Sequence, residues 1–237
     1  MNIVITGASK GLGKAIAEIF ADDKQGHKLL LCSRNKEALQ LTGKGLQGRF
    51  PRTTILTKTC DLSNKEDLQA FADWVLKQAP RIDVLVNNAG TFIPGSVHNE
   101  EEGVLEKMIE LNLYGPYRLT RLLLPSMMSP ANPGGHIFNI CSIASLQAYN
   151  NGGAYSISKF ALAGFSKNLR EEMKPHNIKV TAVYPGAAYT DSWKGSGVDP
   201  KRIMEAADIA KMIYAASQLS PQACVEDIVI RPQLGDL

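Results

Sequence analysis

Cysteine is scarce and scattered: Cys32, Cys60, Cys141 and Cys224 are the only four in 237 residues, with no C-x-x-C pair and no neighbouring histidine to complete a zinc site. They are expected to be reduced core thiols, and no metal site is expected. Long apolar runs are missing too, none approaching the roughly 18 residues of a membrane span. Ahead of the first apolar stretch, Ile3-Val4-Ile5, there is no basic leader region and no cleavable apolar segment. These absences give the expectation of a soluble, cytoplasmic chain with no membrane partner. An excess of one charge is nearly absent: 26 Lys and Arg against 23 Asp and Glu leave a net +3, too little to argue for a nucleic-acid partner. No Ser/Gly-rich linker, repeat or composition shift breaks the chain, and the Gly/Pro-rich pieces Ser129 to Gly135 and Gly195 to Pro200 are loop-sized. Residues 1–237 therefore read as a single domain.

The composition that is present, 44% hydrophobic and 21% charged with 20 Gly and 12 Pro, excludes a disordered, collagenous or coiled-coil chain. A chain of this length buries about 70–75% of its unfolded surface, enough to fold without a disulfide or a structural metal. Seven short Val/Ile/Leu-rich segments begin near Asn2, Lys28, Thr53, Asp83, His136, Lys179 and Glu226. Most lack polar alternation, as strands covered on both faces do. Helix-like stretches separate them, among them Gly13 to Asp22, Lys65 to Gln78 and Ala154 to Met173. In Ser63-Asn64-Lys65-Glu66 the spacing predicts a capping box with Ser63 as the cap. The pattern is that of β-α units in one doubly wound α/β domain, with a seven-stranded parallel sheet and helices on both faces.

Between the first strand and the first helix lies Thr6-Gly7-Ala8-Ser9-Lys10-Gly11-Leu12-Gly13. Glycines let the chain turn sharply and bring backbone close to a pyrophosphate, whose charge is favoured by the N–H groups and dipole of the following helix. The spacing is G-x-x-x-G-x-G and departs from the more familiar G-x-G-x-x-G. Taken alone, such a turn need hold no ligand. The tip of the second strand bears on which dinucleotide would fit. NAD-binding domains of this kind place an acid there for the ribose 2′-hydroxyl, whereas an arginine suits a 2′-phosphate. Here Leu29-Leu30-Leu31-Cys32 runs into Ser33-Arg34 with no acid, and Lys10 offers a second cation. NADP(H) is expected over NAD, Arg34 as a merely solvated loop cation being the alternative.

Farther on, Ile140-Cys141-Ser142-Ile143-Ala144-Ser145 closes an apolar strand, and Tyr155-Ser156-Ile157-Ser158-Lys159 follows. Tyr155 and Lys159 stand i and i+4 on a helix and share a face. A phenol is a poor base near neutrality, with an ordinary pKa of about 10, but an adjacent ammonium stabilises the phenolate. Alone, Tyr-x-x-x-Lys is a common surface pair; with the glycine turn and Ser142 it becomes a candidate for proton transfer to and from a carbonyl.

These residues resemble the short-chain dehydrogenase/reductase family over nearly the whole chain. The motifs occur in order: the glycine turn, Asp61-Leu62, Asn87-Asn88-Ala89-Gly90, Asn112, Ser142, Tyr155, Lys159, then Pro185-Gly186 and Thr190. The resemblance implies a Rossmann-type fold and the following roles. Tyr155 would protonate the carbonyl oxygen, and Ser142 would hydrogen-bond it. Lys159 would hold the nicotinamide ribose and tune Tyr155, and Asn112 would anchor a proton-relaying water. Gly7, Ser9, Lys10, Gly11, Leu12, Gly13, Ser33 and Arg34 would hold the phosphates and adenosine ribose. Asp61 and Leu62 would meet the adenine. Pro185 and Gly186 would let the backbone near the nicotinamide, Thr190 would bind its carboxamide or phosphate, and Asn88, Ala89 and Gly90 would be cofactor-binding too, the Asn87 to Gly90 motif being partly a strand-end scaffold.

The stretch Ala187 to Glu205 is expected to close the pocket, with Tyr189, Trp193 and Met204 covering an apolar or aromatic substrate and Thr91-Phe92-Ile93-Pro94 lining the same cleft. Many family members that reduce 3-oxoacyl chains on acyl carrier protein end in an Asp-Gly-Gly segment, which Arg231-Pro232-Gln233-Leu234-Gly235-Asp236-Leu237 lacks. The ending looks more like that of bacterial sepiapterin-reductase-like carbonyl reductases, which makes Asp236 a candidate anchor for a pterin-like substrate, a frayed terminal charge being the alternative. The partner is thus a small-molecule carbonyl or alcohol. Phe160 and Gly164 on the outer face of the Tyr155 helix, with the helix containing Leu119 to Leu124, are expected to form a homodimer or homotetramer. A 3-oxoacyl-(acyl-carrier-protein) reductase, or a catalytically idle NADP(H) sensor, are the competing functions; retention of all four of Asn112, Ser142, Tyr155 and Lys159 favours chemistry.

Overall fold

In the computed structural model, which describes residues 1–129, 134–190, 193, 195 and 197–236, the seven expected segments form one parallel sheet. In chain order these strands are β1 (Asn2–Thr6), β2 (Lys28–Ser33), β3 (Thr54–Thr59), β4 (Val84–Asn87), β5 (Gly135–Ile140) and β6 (Ile178–Pro185). A two-stranded ribbon follows, β7 (Ala188–Tyr189) with β8 (Met204–Glu205), before the last sheet strand, β9 (Asp227–Ile230). The spatial order is β3-β2-β1-β4-β5-β6-β9. Every start lies within a residue of its expected position. The reason is visible in the burial: Ile3, Val4, Ile5, Leu29, Leu30 and Leu31 are wholly inaccessible, so both faces select for apolar residues.

Helices cover both faces. α1 (Gly11–Asp22) and α2 (Lys36–Arg49) lie on one side with α7 (Ala206–Ser217), and Phe20 meets Tyr214 edge-on at 5.4 Å between ring centres. α3 (Lys65–Gln78), α5 (Gly115–Met127) and α6 (Gly153–Met173) lie on the other, with the short α4 (Val104–Ile109) between α3 and α5 in the chain. The cap of α3 corrects the sequence expectation. Ser63 donates its hydroxyl to Asp61 Oδ1 at 2.6 Å, which removes it from the helix, and Asn64 accepts the Asp67 N–H at 2.8 Å instead. All four cysteines are free, with Cys32, Cys60 and Cys141 buried. Among the described residues no helix is long and apolar enough to cross a membrane.

A polar seam runs through the second layer. Asn87 Nδ2 donates to Thr120 Oγ1 at 3.0 Å and Asn139 Oδ1 at 2.8 Å, and Asn139 Nδ2 donates to Ser166 Oγ at 2.9 Å, tying β4, β5, α5 and α6 together. Farther down β5, His136 is buried with Nε2 2.7 Å from Thr181 Oγ1. Because the Thr181 hydroxyl donates to the Val225 carbonyl, Nε2 carries the ring proton, and Nδ1 is left without a partner. Burial, reinforced by Lys179, lowers the His136 pKa to about 3. The unfolded chain takes up this proton near pH 6.5 and the folded chain does not, so the contribution is complete above that pH and is lost as pH falls toward 3, at up to about 1.4 kcal/mol per unit. Urea midpoints at about pH 7.5 and about pH 5 should therefore differ more in the native protein than in His136→Gln, where this slope disappears.

Candidate active site

The strand order reverses between β1 and β4, and a crevice opens at the carboxyl ends of the strands where it does so. The glycine turn leaves β1 there. Gly7 and Gly11 adopt positive φ, +67° and +54°, a backbone region that costs other residues about 1 kcal/mol or more. Gly13 is required for packing: a Cβ on it would lie 2.4 Å from both Asn88 Nδ2 and the Gly7 carbonyl oxygen. Asn88 fixes the turn in return, its Nδ2 donating to the carbonyls of Thr6 and Gly7 at 2.8 and 3.2 Å. Thr6 Oγ1 accepts from Asn88 N and Ala89 N, each at 3.0 Å. Thr42 Oγ1 holds the Ser9 carbonyl at 2.8 Å. The scaffold reading of Asn87 to Gly90 thus has a physical basis, and Gly13→Ala should cost about 3 kcal/mol, lowering the thermal midpoint by roughly 10 °C in a scanning measurement.

At the start of α1, Lys10 occupies the cap position in extended conformation and its side chain makes no capping bond. The first-turn N–H groups of α1 fit a diphosphate, an acceptor of that charge. Leu12 is partly buried against the core. At the neighbouring tip, Ser33 is buried and donates to the Asn35 carbonyl at 3.2 Å, while Arg34 and Lys10 are exposed. Asp61 Oδ1 is engaged by Ser63, and Leu62 lies with its side chain in the core, leaving its backbone for an adenine.

Across the crevice, Ser142 follows β5 and caps a short 3₁₀ turn, Ile143–Ser145, accepting from Ala144 N at 3.2 Å. That bond uses an oxygen lone pair and leaves the hydroxyl proton for an incoming oxygen. Lys159 is buried and donates from Nζ to the Ile140 carbonyl at 2.7 Å, joining α6 to the strand end two residues before Ser142. Its Nζ stands 5.8 Å from the centre of the Tyr155 ring. Phe92, half exposed, meets Tyr155 edge-on at 4.9 Å. Tyr149 is a neighbour that sequence reasoning missed. Burial, together with Tyr155, pushes its pKa up to about 12, so it stays a protonated phenol.

Asn112 sits in a π-helical turn, Glu110–Tyr114, between α4 and α5. Such turns often mark functional positions because they break the regular ladder. The side chain is fully buried: Oδ1 accepts from Thr91 N at 2.8 Å, and Nδ2 donates to the Thr91 carbonyl and Ser158 Oγ, both at 3.0 Å. Both amide protons are therefore committed to holding the Thr91 loop against α6, and a water could draw only on remaining acceptor capacity.

The residues expected at the nicotinamide side follow β6. Pro185 ends β6, and Gly186 N donates to the Ile230 carbonyl at 2.8 Å. Thr190 lies over the glycine turn, 3.4 Å from the place a Gly11 Cβ would take, and Trp193 N donates to the Thr190 carbonyl at 3.0 Å. Tyr189 is half-buried on β7. Met204 is a correction: pairing of β8 with β7 turns it into the core with the α7 residues Ile209 and Ile213, where it is buried. The frayed-charge alternative for Asp236 does not hold. Arg231 binds one of its oxygens, Oδ1 is buried without a partner, and that oxygen lies 2.8 Å from the place a Gly186 Cβ would take. Arg202 fastens the same tail by donating to the carbonyls of Leu234, Gly235 and Asp236. Leu119 and Leu123 also face inward; the exposed apolar positions of this side are Tyr114, Tyr117, Ile157 and Phe160. Residues 191, 192, 194 and 196 of the closing stretch and residues 130–133 of the earlier loop lie outside the described residues.

Backbone shaped for a diphosphate at one end of the crevice and a phenol beside an ammonium at the other belong to an α/β oxidoreductase. The family model described as short chain dehydrogenase matches residues 1–200, and the chain belongs to that family. It is similar to a sepiapterin reductase from Chlorobaculum tepidum, 33% identical over 99% of this chain and 97% of the relative. Among solved structures it is similar to a metagenomic short-chain oxidoreductase in complex with NADP, at 31% identity and a TM-score of 0.82 over 98% of this chain and 97% of that one. L-sorbose reductase from Gluconobacter frateurii, complexed with NADPH and L-sorbose, superposes with a TM-score of 0.87 at 28% identity over 97% and 94% of the two chains.

Proposed function

We propose that this enzyme is an NADPH-dependent carbonyl reductase for a small ketone or aldehyde with an aromatic or pterin-like ring. The observation that supports the reading is Lys159, whose Nζ is bonded to the carbonyl two residues before Ser142 and stands 5.8 Å from the Tyr155 ring, across the switch point from the glycine turn. Bound NADPH supplies the hydride. Tyr155 gives the proton to the carbonyl oxygen, and the Ser142 hydroxyl stabilises the charge that develops there. Lys159, at the mouth of the strand end, holds the cofactor's ribose and keeps positive charge beside the phenol. Asn112 keeps the Thr91 loop in place so that Phe92 and Tyr155 form one wall.

The similarity to a sepiapterin reductase supports a ring-bearing substrate. The exposed Tyr114, Tyr117, Ile157 and Phe160 support assembly into a homodimer or homotetramer through α5 and α6. The test follows NADPH absorbance with sepiapterin, aromatic diketones, simple aldehydes and a 3-oxoacyl thioester, with NADH in parallel. Oxidation with the ring-bearing carbonyls is expected. Turnover of the thioester alone would move the assignment to the acyl-carrier reductase, and binding of NADPH without any turnover would move it to the sensor.

A further inference from the structure

The helix that carries Tyr155 begins on Gly152 and Gly153, neither of which has a side chain to bind its first N–H groups, and no cap is made locally. An unsatisfied first turn would fray at the residues next to the reacting phenol. The bond comes from elsewhere: Glu100 Oε2 accepts the Ala154 N–H at 3.2 Å from 54 residues upstream. Its negative charge also suits the positive end of the helix dipole.

Two glycines make room for that carboxylate. A Cβ on Gly153 would lie 2.8 Å from Glu100 Oε2 and 2.8 Å from the Gly95 carbonyl oxygen, and one on Gly95 would lie 2.9 Å from Glu100 Cβ. The loop that delivers Glu100 is itself fastened to the residues just ahead of the helix. Gly95 N donates to the Asn151 carbonyl at 3.1 Å, Ser96 Oγ donates to Asn151 Oδ1 at 2.9 Å, and Glu100 N donates to the Ser96 carbonyl at 2.9 Å. The same loop holds Phe92 against the Tyr155 ring, and Ile93 packs with Val104, Met108 and Ala154.

We infer that Glu100 is a positioning residue: it caps the Tyr155 helix from the substrate-side loop, so that the phenol and the Phe92 wall are held as one unit. This rests on the reading of Tyr155 as the proton donor. Loss of the carboxylate should loosen both the first turn of α6 and the loop while leaving the glycine turn untouched. An amide oxygen accepts the same bond, so Glu100→Gln should preserve the arrangement that Glu100→Ala removes.

The test compares the full-length native protein with Glu100→Ala, Glu100→Gln and Tyr155→Phe. Hydrogen exchange of peptides covering 92–100 and 153–156 is read first, since it needs no substrate. Exchange there should rise about tenfold in Glu100→Ala and stay near native in Glu100→Gln. With sepiapterin, kcat should fall about tenfold in Glu100→Ala. The KM for NADPH should stay within about twofold, and Glu100→Gln should recover most of the rate. Unchanged exchange, or unchanged kcat, in Glu100→Ala overturns the proposal, as does a Glu100→Gln variant as impaired as Glu100→Ala. If Glu100→Ala does not fold, Glu100→Met replaces it, because it keeps the side-chain stem without an oxygen acceptor and should reproduce the exchange and rate changes. A fully active Tyr155→Phe would instead sink the proton-donor reading, an outcome separable from the exchange result on Glu100.

Discussion

Tyr155→Phe should reduce turnover by about a thousandfold while leaving NADPH affinity within about twofold, because it removes one hydroxyl and nothing else. A positioned general acid contributes about 10²- to 10⁴-fold, and the edge-on packing with Phe92 at 4.9 Å survives in the variant because it involves the ring. Lys159 also keeps its bond to the Ile140 carbonyl, so the part of the site that would meet the ribose is undisturbed. Cofactor binding measured by fluorescence and single-turnover rates measured by absorbance separate the two quantities. A variant that turns over at the native rate would leave Tyr149 as the neighbouring phenol to consider. Its pKa near 12 makes it a reluctant proton donor, so this outcome would require a different mechanism.

The parts of this molecule that could be read from sequence are those whose cause is local. Ile3-Val4-Ile5 and Leu29-Leu30-Leu31 announce buried strands because parallel pairing covers both faces. The glycine turn is legible because backbone shape demands glycine at set intervals, and Tyr155 with Lys159 because a helix repeats every 3.6 residues. Other features depend on distant partners. Nothing near Gly152 signals that its helix is capped by Glu100, and nothing near Asp236 signals that Arg202 will fasten its backbone. Met204 lies in the loop-like stretch Ala187 to Glu205, and a two-residue strand there has too short a pattern to show which side it turns inward. Ser63 and Asn64 are both good caps, and the choice was made by Asp61, which takes the Ser63 hydroxyl. The π-helical turn at Asn112 has no compositional mark at all.

Arg34→Asp should reverse the preference between NADPH and NADH, changing the ratio of their kcat/KM values by about 10²- to 10³-fold. Arg34 is exposed at the carboxyl end of β2, flanked by Ser33, whose hydroxyl is used by the Asn35 carbonyl, and by Asn35, whose side chain caps α2 at Ala38. Neither neighbour carries a positive charge. Asp61 at the next strand end is occupied by Ser63 and offers a ribose little in exchange. A lost charge-assisted hydrogen bond costs about 1.5–3 kcal/mol, and the new carboxylate adds repulsion from a 2′-phosphate while accepting from a 2′-hydroxyl. Together these come to about 3–4 kcal/mol, which is the stated change in ratio. Arg34→Leu separates the two parts, since it should lose affinity for NADPH without gaining any for NADH. Because Arg34 and Lys10 are exposed, added salt should weaken NADPH binding to the native protein more than to Arg34→Leu. If the cofactor ratio is the same in Arg34→Asp as in the native protein, the phosphate is held from the glycine turn by Lys10, and the parallel Lys10→Ala variant should then show the loss.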